Sequence, residues 1–298
     1  MKINNIEIWD TFAEAFPMKC SRLIVTAQNL YWAKQAAESF CGFATSVIAC
    51  GCEIGIEKIL SKDKTPDNRP GISILIFSVS SKELEKQILN RAGQCVMTSP
   101  TSALFSGNKG EIKIKLGNAL RYFGDGYQIS KMINEKRYWR VPVMDGEFLC
   151  EEFAYQMQGI GGGNFLILAD TVKNALKAAE EAVKAMKKIK NTILPFPGGV
   201  VRSGSKVGSK YKSLIASTNF EYCPSIKSIV NSKLGKDIGA VLEIVIDGLT
   251  ENDISNSIKA GINAILKMGP NTGIKVISAG NYGGKLGPYH FHIRKIIK

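Results

Sequence analysis

The chain has 298 residues, 45% of them hydrophobic and 22% charged. That is enough for one large or two smaller domains, and the composition is that of a globular protein rather than a disordered or fibrous one. No apolar run reaches bilayer-spanning length and MKINNIEIWDTF lacks the apolar core of a signal peptide, so a cytoplasmic protein without a membrane partner is expected. The net charge of +13 admits polyanions or small anionic substrates, but no nucleic-acid motif accompanies it.

In chain order, RLIVTA reads as a strand, NLYWAKQAAESFCG as a helix closing on Gly42, and TSVIAC as a second strand. ISILIFSV is the next strand, SSKELEKQILNRAG a helix capped by Ser80 or Ser81, and QCVMT a strand. The stretch GEIKIKLGNALRYFGDGYQISKMINEKRYWRVPVMDGEF reads as additional β structure, with turns at Asp125-Gly126 and Asp145-Gly146. The pattern then repeats. NFLILAD leads into the helix TVKNALKAAEEAVKAMKKI and then NTILPF; AVLEIVIDGL leads into TENDISNSIKAGINAILKMG and then GIKVISAG. The lysines of the first of these helices fall on a solvated face, with alanine and leucine inward.

Two β-α-β units in each half predict an α+β chain of two ferredoxin-like (split β-α-β) lobes. The expected boundaries are 1–150, carrying a β-rich insertion at about 106–150, and 151–298. A doubly wound parallel sheet is the alternative.

Seven cysteines without framework spacing indicate reduced thiols. Cys50-Gly51-Cys52 and His290-Phe291-His292 would each present two metal ligands on a strand face, but buried core cysteine is the stronger reading, and no metal is expected. In PFPGGVVRSGSKVGSKYKSL, Gly199 and Gly204 have P-loop spacing. Ser205 stands where the lysine belongs, and Pro195 and Pro197 make the segment a loop, so it is no nucleotide-triphosphate cradle.

What this loop shares with GQCVMTSPTSALF, GIGGGNF, ASTNFEYCPS and SAGNYGGKLG is backbone N–H groups, hydroxyls and nearby lysines (Lys206, Lys210, Lys285). That equipment suits carboxylates and phosphates. Cys95 has no histidine near it in sequence, which weakens it as a nucleophile. Glu243 interrupts an otherwise apolar strand. Buried in a dry site, its carboxyl would be held protonated near neutrality; on an edge strand, it would simply face solvent.

The same loops carry a resemblance. DTFAEAF, GFATSVI, TPDNRPG, GQCVMTSPTSA, FGDGYQ, PFPGG, SKVGSK, ASTN followed by YCP, and ISAGNYGGKLG run from Asp10 to Gly287. In that order they resemble the formylmethanofuran:tetrahydromethanopterin formyltransferase family. The resemblance implies two ferredoxin-like lobes, a homo-oligomer (commonly a tetramer) with its site in a cleft at a subunit interface, and no prosthetic group. The implied reaction is reversible formyl transfer between the amine nitrogen of methanofuran and N5 of tetrahydromethanopterin, both coenzymes acting as substrates.

Glu243 matches the family's strand glutamate and would act in catalysis. The matched loops would contribute substrate-binding groups: Gln94 and Cys95 from one; Ser205, Lys206, Ser209 and Lys210 from a second; Ser217, Thr218 and Asn219 from a third; and Asn281 from the last. A bacterial formyltransferase/hydrolase complex is the related setting, with transfer running toward the furan carrier and formate. A non-catalytic pterin-binding paralogue is the rival of another class.

Overall fold

The computed structural model describes residues 1–298 and divides into two compact units, Met18–Gly159 and Met1–Pro17 with Ile160–Lys298. Both helices and strands are abundant, and strand pairs run antiparallel for the most part, with parallel pairs at Gly146–Glu151 and at Ile6–Ile8.

In Met18–Gly159 the strands lie in the order Glu53–Leu60, Gly71–Ser78, Phe12–Thr26, Ala103–Ser106, each antiparallel to its neighbour. Helices Leu30–Cys41 and Ser81–Arg91 bury Ala33, Ala37, Phe40, Leu84 and Ile88 against Leu23, Val25, Ile72 and Ile74 of the strands. Ser80 caps the second helix by accepting from the Glu83 N–H at 3.2 Å. Arg91 closes the end of the first: its guanidinium donates to the carbonyls of Phe40 (2.7 Å), Gly42 (2.6 Å) and Phe43 (3.0 Å), which have no helical partner. Strands Ile129–Ile133, Lys136–Val143 and Gly146–Glu151 form the additional β structure expected in the middle of the chain.

Two expected strands are displaced. TSVIAC is not a strand. Ser46 caps a helical turn, Val47–Cys50, by accepting from the Ile48 N–H; Gly51 at φ 74° ends it, and the strand begins at Glu53. QCVMT is not a strand either. The preceding helix runs on as a wider turn, Ala92–Val96, with the Met97 N–H bonded to the Ala92 carbonyl at 2.9 Å, and the strand is Ala103–Ser106. Both are short apolar runs, for which periodicity does not separate strand from buried helix. With Cys50 in a helical turn, Cys50 and Cys52 do not share a strand face. Burial pushes the Cys52 thiol up to about 11, against a thiolate ligand.

The other unit has the corresponding order: Thr192–Ile193, Ala240–Gly248, Met157–Ala169, Ile274–Ser278, again antiparallel throughout, with Ile6–Ile8 added in parallel beyond Ile274–Ser278. Helices Val172–Met186 and Glu251–Lys267, capped by Thr171 and Thr250, cover one face. Their buried side chains meet Phe165, Ile167, Leu242, Ile244 and Ile246. The first turns its alanines inward as expected, but Leu176 is 45% exposed, because the inward stripe is filled by Ala175, Ala179, Ala182 and Met186.

The reverse face of this sheet carries no α-helix. Residues of the long irregular segment between Val201 and Gly239 cover it, Tyr222, Leu234 and Ile238 packing with Trp9 on Leu166, Leu168, Val241 and Val276.

Gly261 is where the second helix packs closely against both Met186 of the first helix and Phe165 of the sheet. A Cβ there would come within 2.6 Å of Met186 Sδ and 3.0 Å of the Phe165 ring. Gly261→Val is expected to lower stability by about 1–3 kcal/mol through overpacking, read as a lower urea midpoint of unfolding. An unchanged midpoint would mean that this contact relaxes at no cost.

Candidate active site

Strand Ala240–Gly248 alternates. Leu242, Ile244 and Ile246 enter the helix-side core, so Val241, Glu243 and Val245 face the reverse side. Glu243 is not on a free edge. Its backbone pairs with Leu166 on one side, and on the other exchanges both bonds with Val201, at 2.7 and 2.9 Å. The strand therefore places this carboxyl on the reverse face and not along a free edge.

The carboxyl instead lines a cavity of about 70 Å³, walled by Asn164 and Leu166 from the sheet, Val201 to Ser205 and Asn219 from the covering segment, and Asn281 and Tyr282 from the last loop. Glu243 is half-buried as a residue, and the surface it keeps lies along this cavity. No hydrogen bond or ion pair reaches its carboxyl. Burial alone raises it from 4.5 to about 7. This opposes ionisation by about 3 kcal/mol, so both protonation states are populated at neutrality.

A second, more open cavity of about 580 Å³ shares Asn219, Tyr222, Asn281 and Tyr282 with the first and adds Trp9, Lys206 and Lys233. Tyr282 belongs to both walls. Its hydroxyl donates to the Ser205 carbonyl at 2.9 Å. Burial and the charges of Glu243 and Glu14 push that hydroxyl above its ordinary range, partly offset by the Ser205 bond.

The last loop is tied down from three directions. Asn164 Oδ1 accepts from the Gly280 N–H at 2.6 Å, and its Nδ2 donates to the Gly280 carbonyl at 3.2 Å. Asn281 Nδ2 donates to Thr11 Oγ1 and the Phe12 carbonyl, both at 3.1 Å. Buried Glu14 accepts from the N–H groups of Tyr282 (2.7 Å), Gly284 (3.1 Å), Gly287 (3.0 Å) and Leu286. Burial pushes the Glu14 carboxyl up, but these backbone donors more than offset it and hold it below the usual carboxylate range.

The expected site residues separate into three groups. Glu243, Ser205, Lys206, Asn219 and Asn281 line one or both cavities. Ser209, Lys210, Ser217 and Thr218 sit on or beside the hairpin of strands Ser205–Val207 and Ala216–Thr218 and line neither. There Ser217 Oγ donates to the Gly208 carbonyl at 2.7 Å, and Lys210 is exposed. Gln94 and Cys95 lie in the turn Ala92–Val96 of the other unit, Gln94 exposed and Cys95 packed against that unit's core.

Three residues of the site were not singled out from the sequence: Glu14, Tyr222 and Tyr282. Glu14 carries the same signal as Glu243, a lone acid between apolar neighbours in FAEAF.

The family model described as formylmethanofuran-tetrahydromethanopterin formyltransferase matches residues 1–143, and the model for its proximal lobe matches residues 146–296. The chain belongs to this family. It is 60% identical, over the full length of both chains, to the formylmethanofuran–tetrahydromethanopterin formyltransferase of Methylococcus capsulatus. Among solved structures it is similar to a chain of the formyltransferase/hydrolase complex of Methylorubrum extorquens in complex with methylofuran, at TM-score 0.97 and 48% identity, covering 100% of this chain and 99% of that one. The formyltransferase of Methanosarcina barkeri matches at TM-score 0.93 and 47% identity, covering 99% and 100%. These formyltransferase relatives thus span both halves of the chain, including the segment that carries Glu243.

The raised carboxyl has a consequence for stability. With Glu243 near 7 when folded and an ordinary value of 4.5 when unfolded, folding takes up a proton between those pH values. Its contribution therefore weakens as pH rises through that window. Glu243→Gln is expected to remove this slope and to be more stable than the unsubstituted protein above about pH 7. Urea unfolding of both proteins at pH 5 and pH 8 checks it; parallel stabilities would show an ordinary carboxyl.

Proposed function

We propose that the chain transfers a formyl group between the amine nitrogen of methanofuran and N5 of tetrahydromethanopterin, as part of one-carbon metabolism. The observation that carries the reading is the unpaired Glu243 carboxyl, raised to about 7 at the base of a cavity built from the family's loops. Attack by N5 forms a bond to the formyl carbon and moves the carbonyl pair onto oxygen. Collapse re-forms the carbonyl and breaks the bond to the other nitrogen.

The attacking nitrogen must lose a proton and the departing one must gain one. A carboxyl poised near neutrality serves both needs: protonated, it donates a hydrogen bond to the developing oxyanion or a proton to the leaving nitrogen; ionised, it accepts the proton from N5. The net proton count is unchanged, as transfer between two amines requires.

Lys206 beside the larger cavity suits the anionic tails of either coenzyme. Ser205, Asn219 and Asn281 would border the reacting parts, and the hairpin groups Ser209, Lys210, Ser217 and Thr218 the tails; Gln94 and Cys95 stay in this reading as substrate-binding groups. The strand order in each unit supports two ferredoxin-like lobes, near the expected spans 1–150 and 151–298 except that Met1–Pro17 joins the second and the division falls at Gly159. No helix is long and apolar enough to cross a membrane, in keeping with a cytoplasmic enzyme. A homo-oligomer, a tetramer in this reading, is supported by apolar side chains left exposed on the additional β structure: Tyr127, Ile129, Met132 and Met144.

A second setting is favoured by the match to a chain of the formyltransferase/hydrolase complex. In it the same transfer runs toward the furan carrier, in company with hydrolase subunits. Co-migration with such subunits on native gels, rather than as a homo-oligomer, would select it.

Turnover is tested with purified protein and both coenzymes, following absorbance of the pterin product. Glu243→Gln is expected to lower kcat about a hundredfold or more and to flatten the pH profile near neutrality; Glu243→Ala removes the hydrogen bond as well and is expected to be no better. Full turnover of Glu243→Gln with an unchanged profile would exclude the proton-transfer role.

A further inference from the structure

The loop from Gly280 to Pro288 has no regular secondary structure and contains Gly280, Gly283, Gly284 and Gly287. Nothing in its own sequence makes it stiff; Gly283 and Gly284 sit at φ 71° and 75°, where other residues are strained. Yet it supplies Asn281 and Tyr282 to the walls of both cavities. Its order comes from outside, and the largest share from one side chain. Glu14 is 2% exposed, and its carboxylate has no cationic partner. Both oxygens are used by loop N–H groups, Oε2 by Tyr282 and Gly284, Oε1 by Leu286 and Gly287.

The loop can reach Glu14 this closely only because of its glycines. A Cβ on Gly287 would lie 2.1 Å from the Ala15 carbonyl oxygen, and one on Gly284 3.2 Å from the His290 ring. His290 stands opposite Glu14 in the ladder, its Nε2 3.1 Å from the Gly287 carbonyl, bracing the same turn.

We propose that Glu14 is a positioning residue for the chemistry at Glu243: its carboxylate fixes the loop so that Tyr282 stands between the two cavities, its hydroxyl locked to the Ser205 carbonyl. This rests on the formyl-transfer reading above. The path is short, running through hydrogen bonds to Ser205 and from there along the chain to Val201. Glu14 holds the Tyr282 N–H, the Tyr282 hydroxyl holds Ser205, Gly204 holds the Asn219 N–H at 3.0 Å, and Val201 pairs with Glu243 itself. Through it, one buried acid sets the shape of the chamber around the other without touching it. An active-site wall displaced by even an ångström costs rate far more than it costs folding.

Glu14→Gln keeps the side chain's size, but its amide NH₂ opposes two of the loop donors whichever way it turns. It is expected to lower kcat about tenfold or more with smaller changes in KM. Hydrogen exchange is expected to quicken at the amides of Tyr282, Gly284, Leu286 and Gly287, while helices Val172–Met186 and Glu251–Lys267 stay protected. Tyr282→Phe should lower kcat in the same sense, and the Glu14→Gln/Tyr282→Phe double variant should fall no further than the worse single one.

Multiplicative losses in the double variant, wild-type kcat in Glu14→Gln, or loss of protection in the helices together with the loop would each overturn the proposal. Should Glu14→Gln not fold, Glu14→Asp keeps the charge but shortens its reach; the same loop-confined exchange with lowered kcat supports the proposal, and wild-type kcat overturns it. The unsubstituted protein is the control: no turnover there defeats the formyl-transfer reading, whereas retained turnover in the variants defeats this one.

Discussion

A strand held by backbone pairing on both sides offers its side chains two environments and no third. For strand Ala240–Gly248 one environment is the helix-side core and the other is the reverse face, roofed by the irregular segment from Val201 to Gly239. Glu243 is forced into the second. The register with Leu166 fixes where along that face the carboxyl lies, and the bridge to Val201 removes the escape route an edge strand would give. A carboxyl so placed meets few compensating donors, and burial raises it to about 7. Acid–base capacity at neutral pH thus follows from where the sheet places the carboxyl and what covers it, with no charged partner needed to create it.

The rest of the site is irregular chain made rigid by polar side chains drawn from regular elements. Asn164, on strand Met157–Ala169, grips Gly280 through its amide oxygen and nitrogen, and Glu14, on strand Phe12–Thr26, gathers backbone donors of the following residues. Two acids in the same unit therefore have opposite fates. Glu14, surrounded by backbone N–H groups, stays ionised well within the usual pH range, whereas Glu243, given none, is poised to exchange a proton. The difference lies chiefly in donors: Glu14 has four backbone N–H groups and Glu243 has none.

The sequence made the architecture legible where periodicity was long. The helices Leu30–Cys41, Ser81–Arg91, Val172–Met186 and Glu251–Lys267 and the strands beside them are visible in their apolar spacing and caps. It failed at TSVIAC and QCVMT, where three or four apolar residues satisfy strand and buried turn alike and only tertiary packing decides. Glu243 was legible because a charge in AVLEIVIDGL breaks an apolar run; whether it faced water was not, since that depends on Val201, some 40 residues away in sequence. Glu14 offered the same kind of signal in FAEAF and went unread, because its partners are backbone N–H groups of a loop more than 260 residues on. Tyr282 was hidden for a related reason: its significance lies in a hydroxyl contact to a carbonyl, which no residue pattern announces.

The central claim is that burial on the covered reverse face, with no donor to offset it, keeps the Glu243 carboxyl out of the ordinary range. Carbon-13 NMR of the protein labelled at glutamate carboxyl carbons, with Glu243→Gln identifying the resonance, measures this directly. The account predicts a single titration for that carbon with a midpoint near 7. A midpoint close to the ordinary 4.5 would contradict it.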